Sequence, residues 1–216
     1  MAVRAVIFDF DGVICQTEAW KLHRTAEYLE KLGLIVEPKK LYRLAGGTFD
    51  EKEAIFDQIF GGQPRYWQVR EEALDFRTGP FPHASLVTPG LLPVLEKLRE
   101  KGIVLAVASN SRQDRLEEAL ERCGVLSFFA CVEAAWDMGR KKPDPYVYIY
   151  TMEKLGVTPA ETVIVEDSAL GIRAGKAAGA MVVALRDPDG AIDQSEADRV
   201  ITEIGQLMGT VLPEGV

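Results

Sequence analysis

The sequence predicts an α/β fold in which an open, Rossmann-like parallel sheet carries an inserted α-helical cap. Residues 5–8, 103–108, 162–165 and 180–185 are continuously apolar and rich in β-branched side chains, which is typical of strands covered on both faces. Helical patterns alternate with these stretches, as in open α/β folds. Right-handed crossovers then bring the carboxyl ends of the strands, and any active site, to one edge of the sheet.

Two of the predicted core helices have readable ends. The first is expected to begin after Thr88, with a proline at its first position, and to stop before Gly102. The second is expected to begin at a capping-box-like pair, Ser111 and Asp114, and to stop before Gly124. Their apolar faces are Leu91, Leu95 and Leu98 in the first helix and Leu116, Ala119, Leu120 and Cys123 in the second.

The interval from residue 16 to residue 81 interrupts this alternation, because it contains three amphipathic helical patterns and no convincing strand. We therefore predict an α/β catalytic core of residues 1–15 and 82–216 and a helical cap of residues 16–81. Hinges are expected at 12–16 and 79–82. The helical patterns are Leu22/Ala26/Leu29, a capping box of Asp50 and Glu53 leading into Ile55 and Ile59, and Tyr66/Val69/Ala73/Phe76.

Length and charge narrow the class of protein. A chain of 216 residues, at about 150 per domain, allows one large domain with a smaller insertion. Its net charge of −8, without a basic cluster, disfavours binding to nucleic acid or anionic membranes. The apolar runs are too short to span a bilayer. Asp9 and Asp11 interrupt the first apolar run before the apolar core of a signal peptide would be complete. We expect a cytoplasmic monomer.

Three cysteines without a CxxC pair argue against a disulfide framework or a zinc site.

Two carboxylates follow the first predicted strand. Asp9 and Asp11 are two residues apart, so strand alternation aims both side chains the same way. Two anions at a buried strand end repel each other and need a nearby cation or a shared proton. An aspartate-rich turn is the alternative, whereas an EF-hand loop is excluded because Val13 and Ile14 stand at positions that need an oxygen ligand and a glycine.

A second acidic pair follows the third predicted strand. Asp167, preceded by Glu166, should approach Asp9 because both follow strands that end at the same edge. Oxygen ligands without a supporting histidine favour Mg²⁺. Glu166 alone would be a solvated turn residue, but beside Asp167 an indirect role in the metal site is an equal alternative.

Two further residues could hold a phosphoryl group. Ser109, at the end of the second predicted strand, could donate its hydroxyl to a phosphoryl oxygen beside a helix N-terminus. Lys142 offers a point charge for phosphate, although a basic stretch before proline is more often a solvated loop. Each signal is weak alone. Their order, each beside a strand end of one sheet, makes the set specific.

This set resembles the motifs of the haloacid dehalogenase superfamily. Asp9-Phe10-Asp11-Gly12 matches the first motif, Ser109 the second, Lys142-Pro143 the third and Glu166-Asp167 the fourth. The position and helical character of the insert look like the subfamily that includes β-phosphoglucomutase and phosphoglycolate-type phosphatases. The resemblance extends over nearly the whole chain.

The resemblance implies a role for each matched residue. Asp9 would be the nucleophile that forms an aspartyl-phosphate, and Asp11 the general acid and then base. Asp9, the Asp11 carbonyl and Asp167 would hold Mg²⁺, while Ser109 and Lys142 would bind the phosphoryl group. Independently, a carboxylate attacks an anionic phosphate only when a metal and a lysine offset the repulsion. Crowding beside Asp9 is expected to help Asp11 switch between its protonated and ionised forms.

Gly171, Gly175 and Gly179 do not have the spacing of a phosphate-binding loop. Gly171 and Gly175 enclose three residues before Lys176, whereas a P-loop needs four between its glycines. With Gly179 they would lie on one helical face. Close packing of that helix on the sheet is the favoured explanation.

Substrate identity depends on residues outside the four motifs. The predicted substrate-binding residues are Thr17, Lys21, Asn110, Ser111 and Arg112. The β-phosphoglucomutase pattern has a cap lysine, arginine and histidine where this chain has Ala45, Phe49 and Lys21. We therefore expect a Mg²⁺-dependent phosphatase of a small phosphorylated metabolite, with sugar phosphates as candidates. A phosphosugar mutase and a noncatalytic phospho-aspartate switch are the alternatives.

Overall fold

A computed structural model describes residues 2–36, 40, 41, 44, 49–62, 64–69, 81–186 and 192–212. Within these ranges six parallel strands form one sheet in the order β3-β2-β1-β4-β5-β6. The strands are β1 (Ala5–Phe8), β2 (Val104–Ser109), β3 (Cys131–Ala134), β4 (Thr162–Glu166), β5 (Met181–Leu185) and β6 (Arg199–Ile201). The sheet confirms the predicted α/β class.

Seven α-helices are described in the same ranges. They are α1 (Thr17–Lys31), α2 (Phe49–Phe60), α3 (Leu91–Glu100), α4 (Gln113–Arg122), α5 (Tyr146–Leu155), α6 (Ala169–Ala177) and α7 (Met208–Val211). Short 3-10 turns cover His83–Leu86, Leu126–Phe128, Pro159–Glu161 and Ile204–Leu207. In the described part of the chain no helix is long and apolar enough to cross a membrane.

The sheet is covered by helices on both faces, as its continuous apolar strands predict. Val6 and Phe8 face a core with α3 and α4, whereas Ile7 between them faces a second core with α5 and α6. The four predicted strands are confirmed, each within one residue at either end. β3 and β6 escaped prediction: Glu133 interrupts the apolar run of β3, and β6 is a three-residue edge strand with two exposed residues.

The predicted beginnings of α3 and α4 are wrong. Gly90 adopts a left-handed φ of 80°, so α3 begins at Leu91 and not at the proline after Thr88. The Thr88 hydroxyl instead donates to the Val13 carbonyl at 2.6 Å. α4 begins at Gln113, whose N–H donates to Asp137 Oδ2 at 2.7 Å, so Asp137 replaces the predicted capping pair.

The inserted segment has an apolar core of its own. α1, α2 and residues 66–69 bury a separate cluster that consists of Leu22, Leu29, Leu41, Leu44, Phe56, Tyr66 and Val69. α2 begins at Phe49, so Asp50 lies inside its first turn and not at the predicted cap. Ala73, Phe76 and residues 79–80 lie outside the described residues. The domain boundaries at 15/16 and 81/82 stay a prediction.

α6 packs against the sheet through glycines. A Cβ on Gly175 would lie 2.7 Å from Val182 Cγ2, so the close packing predicted for this face is confirmed there. Gly179 lies two residues beyond the end of α6 and does not share the packed face. The thiols of Cys15, Cys123 and Cys131 are free and buried.

Candidate active site

The carboxyl ends of β1, β2 and β4 bring the motif residues together. Phe8 pairs with Val107 of β2 and with Val165 of β4, and the N–H of Asp9 donates to the Val165 carbonyl at 2.9 Å. Asp9 therefore lies directly between the ends of the two neighbouring strands. Ser109 ends β2 and Glu166 ends β4.

Lys142 is buried at the centre of this edge, so the interpretation as a solvated loop residue is wrong. Its side chain is 3% exposed, and Nζ donates to Asp9 Oδ1 at 2.5 Å, Glu166 Oε1 at 2.7 Å and the Ala108 carbonyl at 2.8 Å. These three acceptors use all three protons of the ammonium. Burial alone would lower the pKa of Lys142, but Asp9 and Glu166 outweigh it and raise the pKa, so the lysine stays charged.

The pKa of Asp9 is raised, whereas the pKa values of Asp11 and Glu166 are lowered. Burial raises the pKa of its carboxyl to about 8, and the charges of Glu166 and Asp11 act in the same direction, while Lys142 opposes them. A buried carboxylate at this edge therefore calls for a further cation beside Lys142.

Glu166 connects the lysine to the loop that follows β4. Oε1 accepts from Lys142 and from the Tyr148 hydroxyl, both at 2.7 Å. Oε2 accepts from the backbone N–H of Asp167 and from the N–H and hydroxyl of Ser168, at 3.1 to 3.2 Å. Burial would raise the pKa of Glu166, but Lys142 and then Tyr148 outweigh it and lower the pKa. Both oxygens are already in use, which favours an indirect role in metal binding.

Gly171 makes room for this carboxylate. A Cβ at position 171, on the first turn of α6, would lie 1.7 Å from Glu166 Oε1. A larger side chain cannot occupy this position without moving Glu166. Close approach at this glycine therefore serves the site as well as the packing of α6.

A cluster of carboxylate oxygens with the spacing to hold a cation lies at the same edge. One carboxylate oxygen from each of Asp9, Glu166 and Asp167 lies within 4.8 Å of the other two. Asp167 reaches the β1 loop so closely that a Cβ on Gly12 would lie 1.9 Å from Asp167 Oδ2. Hard oxygen donors without nitrogen or sulfur suit Mg²⁺. The residues present thus fit the predicted metal.

Asp11 has contacts that were not predicted. Its Oδ1 accepts from Lys21 Nζ at 3.0 Å and from the Thr17 hydroxyl, and Ser111 Oγ lies 3.5 Å from Oδ2. Burial would raise the pKa of Asp11, but Lys21 and then Thr17 outweigh it and lower the pKa. The resting contacts therefore favour the ionised form. Among the neighbouring charges, the ammonium of Lys21 on α1 has the largest effect on this pKa.

The comparisons with known proteins agree with this site. The family model of the haloacid dehalogenase-like hydrolases matches residues 6–185, which include every residue of the four motifs. The chain belongs to the haloacid dehalogenase-like hydrolase family. This membership confirms the resemblance on which the site assignment is based.

Individual members of the family show which activities occur in it. The chain is 26% identical over 206 residues to validoxylamine A 7'-phosphate phosphatase of Streptomyces hygroscopicus subsp. limoneus, covering 94% of this chain and 95% of the relative. It is 28% identical over 177 residues to a phosphorylated carbohydrates phosphatase of Thermotoga maritima, covering 82% of each. β-Phosphoglucomutase and phosphoglycolate phosphatase types also match, so the predicted subfamily is confirmed.

A solved structure of the family matches the whole fold. The hydrolase from Deinococcus radiodurans R1, crystallised with bound phosphate and sodium, is 27% identical. It superimposes with a TM-score of 0.81 and covers 97% of this chain and 95% of its own. This chain therefore has the fold of a known haloacid dehalogenase-like hydrolase.

The remaining predicted residues around the second motif lie close to the site, but their contacts differ. Ser109 is buried, and its Oγ accepts from the Ser111 N–H at 3.2 Å. Asn110 accepts from the Lys142 N–H at 2.8 Å through Oδ1, so within the chain it positions the lysine loop. Arg112 is exposed and pairs with Asp114 at 3.2 Å. Substrate contacts of Asn110, Ser111 and Arg112 stay predictions.

Two buried polar residues of the site escaped prediction. The amide of Gln194 donates to the Asp167 carbonyl at 2.6 Å and to the Leu185 carbonyl at 2.8 Å. Tyr148 contacts Glu166 from α5. Gln194 lies in a polar loop, and Tyr148 lies in a helix whose pattern requires only a large apolar side chain. Neither carries a sequence signal that separates it from its neighbours.

Proposed function

We propose that this chain is a Mg²⁺-dependent phosphatase that hydrolyses a small phosphorylated metabolite, with sugar phosphates as the first class to test, through an aspartyl-phosphate on Asp9. The observation that carries the proposal is the buried ammonium of Lys142, which joins the Asp9 carboxylate to Glu166 at the sheet edge. A cation at that place offsets the repulsion between a carboxylate nucleophile and a phosphate ester.

In the first step, an oxygen of Asp9 bonds to phosphorus as the bond from phosphorus to the ester oxygen breaks. Asp11 gives a proton to the departing oxygen, the Ser109 hydroxyl donates to a phosphoryl oxygen, and the Lys142 ammonium supplies positive charge beside the phosphoryl group. In the second step, Asp11 accepts a proton from water, the water oxygen bonds to phosphorus, and Asp9 leaves as a carboxylate. Asp9, Asp167 and the Asp11 carbonyl would hold the metal, which supplies positive charge against the phosphoryl oxygens when bound.

The contacts of Asp11 favour one of its two roles. Lys21 and Thr17 hold it as a carboxylate, which is the form that accepts a proton from water in the second step. The first step needs the protonated form unless the leaving group is stable as an anion. Aryl phosphates have such leaving groups, so they should depend less on Asp11 in that step than alkyl phosphates do.

A phosphatase is favoured over a phosphosugar mutase by the charges of the cap. Mutases hold a bisphosphate intermediate through two orientations, and charge-assisted contacts of about 1.5–3 kcal/mol each slow its escape. The cap sequence has Ala45 and Phe49 where the mutase pattern has cations. The ammonium of Lys21 pairs with Asp11 in the resting structure. The phosphatase names of two relatives support the same choice.

The direct test is phosphate release from a generic aryl phosphate, followed by a panel of sugar phosphates and other small esters. We expect turnover with Mg²⁺, loss of turnover with a chelator, and a fall of several orders of magnitude in Asp9→Asn. β-Glucose 1-phosphate, primed with the bisphosphate, separates the mutase alternative. Glucose 6-phosphate that forms faster than free phosphate would contradict the proposal.

A further inference from the structure

Tyr148 places a buried phenol beside the Lys142–Glu166 pair. The residue is 0% exposed, and its hydroxyl donates to Glu166 Oε1 at 2.7 Å. The same oxygen accepts from Lys142 Nζ at 2.7 Å. The phenol and the ammonium therefore share a single carboxylate oxygen inside the core.

The ring of Tyr148 also covers the lysine. Lys142 Nζ lies 4.7 Å from the ring centroid, within the range of a cation–π contact. All three ammonium protons already have acceptors, so the ring face contacts the ammonium without competing for a proton. Tyr148 thus touches both members of the Lys142–Glu166 pair.

The hydroxyl has a physical consequence for where the lysine lies. A buried carboxylate oxygen with two donors attracts each of them less strongly than an oxygen with one. Without the phenol, Glu166 Oε1 would keep Lys142 as its donor from this side and draw the ammonium away from Asp9 Oδ1. Tyr148 is therefore suited to keep Lys142 shared between the two carboxylates.

We propose that Tyr148 is a positioning residue that acts through Glu166 to hold the Lys142 ammonium against Asp9, where the phosphoryl group binds. The expected effect on kcat rests on the phosphatase function proposed above. The contact of Tyr148 with Glu166 and Lys142 does not depend on that function. The competing explanation is that Tyr148 only fills the core, in which case a phenylalanine would serve equally well. The hydroxyl therefore decides between the two.

The kinetic test compares Tyr148→Phe with Tyr150→Phe, which removes a phenol hydroxyl from a half-exposed residue of the same helix. For Tyr148→Phe we expect kcat with an aryl phosphate to fall about 10-fold, the loss expected for one hydrogen bond to a charged group. KM should change less than about 2-fold, because the substitution leaves the Ser109 hydroxyl in place. Tyr150→Phe should match the wild type. An unchanged kcat in Tyr148→Phe would overturn the proposal.

A double variant separates positioning from a general effect on the core. Because Tyr148 acts through Glu166, adding Tyr148→Phe to Glu166→Gln should lower kcat by less than about 2-fold beyond Glu166→Gln alone. A purely structural loss would be additive. Additive effects on kcat would therefore contradict the proposed route through Glu166.

Labelling of Lys142 tests the contact without any turnover. Limited acetylation of the folded protein, read by peptide mass spectrometry, should modify Lys142 about 5-fold more slowly in Tyr148→Phe than in the wild type, because Glu166 then holds the ammonium more strongly, whereas a merely loosened core would speed the labelling. The rate at the half-exposed Lys154 should stay constant. Unchanged labelling of Lys142 would overturn the positioning role. An inactive wild type would instead contradict the proposed function, and the labelling result would still decide the role of Tyr148.

Discussion

Gly12 and Asp167 lie so close together that no side chain fits between them: a Cβ on Gly12 would be 1.9 Å from Asp167 Oδ2. Gly12 has a φ of 80°, and it follows the two aspartates of the first motif. This contact brings the loop after β4 to the loop after β1. It explains why a glycine that binds nothing itself belongs to the candidate metal site.

Replacing Gly12 should therefore damage the site without removing a ligand. Gly12→Ala would displace the Asp167 carboxylate, and a misplacement of about 1 Å costs on the order of 100-fold in turnover. The matched control is Gly33→Ala, which has a similar φ of 77° but nothing within 4 Å of the added Cβ. Gly33→Ala shares the backbone strain and should keep wild-type turnover, measured at saturating Mg²⁺. Equal losses in both variants would show that strain, and not Asp167, is responsible.

Asp167 itself should control the affinity for Mg²⁺. In Asp167→Ala we expect the Mg²⁺ concentration for half-maximal activity to rise at least about 10-fold. Asp50→Ala, which removes an exposed carboxylate from α2, should leave it unchanged. Ca²⁺ should inhibit the wild type, since its larger and more flexible shell fits an in-line phosphoryl transfer poorly. An unchanged Mg²⁺ titration in Asp167→Ala would reduce the residue to a structural turn.

Gln194 should support the same loop from behind. Gln194→Leu keeps a side chain of similar size but leaves the carbonyls of Asp167 and Leu185 without its two hydrogen bonds. We expect a lower midpoint of thermal unfolding and a higher Mg²⁺ concentration for half-maximal activity than in the wild type, with a smaller rise than in Asp167→Ala. Mg²⁺ titrations of the two variants side by side give the comparison. A Gln194→Leu protein with wild-type Mg²⁺ dependence would show that the loop holds its position without this amide.

Glu161, in the turn before β4, should make the stability of the fold depend on pH. Glu161 accepts from the N–H and hydroxyl of Thr158 at 2.9 and 2.8 Å and from Arg4 at 3.1 Å, and these contacts lower its pKa from 4.5 to about 2. A carboxyl whose pKa falls on folding adds stability above its unfolded pKa and loses it as the pH drops through the folded value.

Glu161→Gln should therefore lower the thermal midpoint at pH 7, and its difference from the wild type should narrow as the pH falls from 4.5 towards 2. Glu121→Gln, on the exposed face of α4, is the control and should show no such trend. Melting curves at a series of pH values provide the measurement. A constant difference across the series would contradict this role of the carboxylate.

The sequence predicts the motif residues well because each follows an apolar strand whose direction is fixed by the sheet. Asp9, Ser109 and Asp167 need only the rule that parallel strands end at the same edge. Lys142 is different, since its loop follows β3, which the buried Glu133 concealed. The sequence places Lys142 beside a strand end without identifying that strand, so its role in the site comes from the family resemblance.

The electrostatic state of the site could not be predicted in the same way. The pKa of Asp11 depends on Lys21, which is one helical turn beyond Thr17 on α1, and the approach of this helix to the sheet edge is a tertiary event. Tyr148 contributes to the site through its hydroxyl. The helical pattern would accept phenylalanine at this position equally well, so it does not indicate that hydroxyl. Such contacts can be identified only when the positions of both residues in the fold are known.

Whether Asp9 carries the phosphoryl group can be read from the mass of the protein during turnover. Asp11→Asn, mixed with an aryl phosphate and Mg²⁺ and quenched rapidly in acid, should gain the mass of one phosphoryl group, since the second step then lacks its base. Fragmentation should locate the group on Asp9, and Asp9→Asn/Asp11→Asn should gain nothing. A phosphoryl group found on another residue, or turnover by Asp9→Asn at the wild-type rate, would show that Asp9 is not the nucleophile.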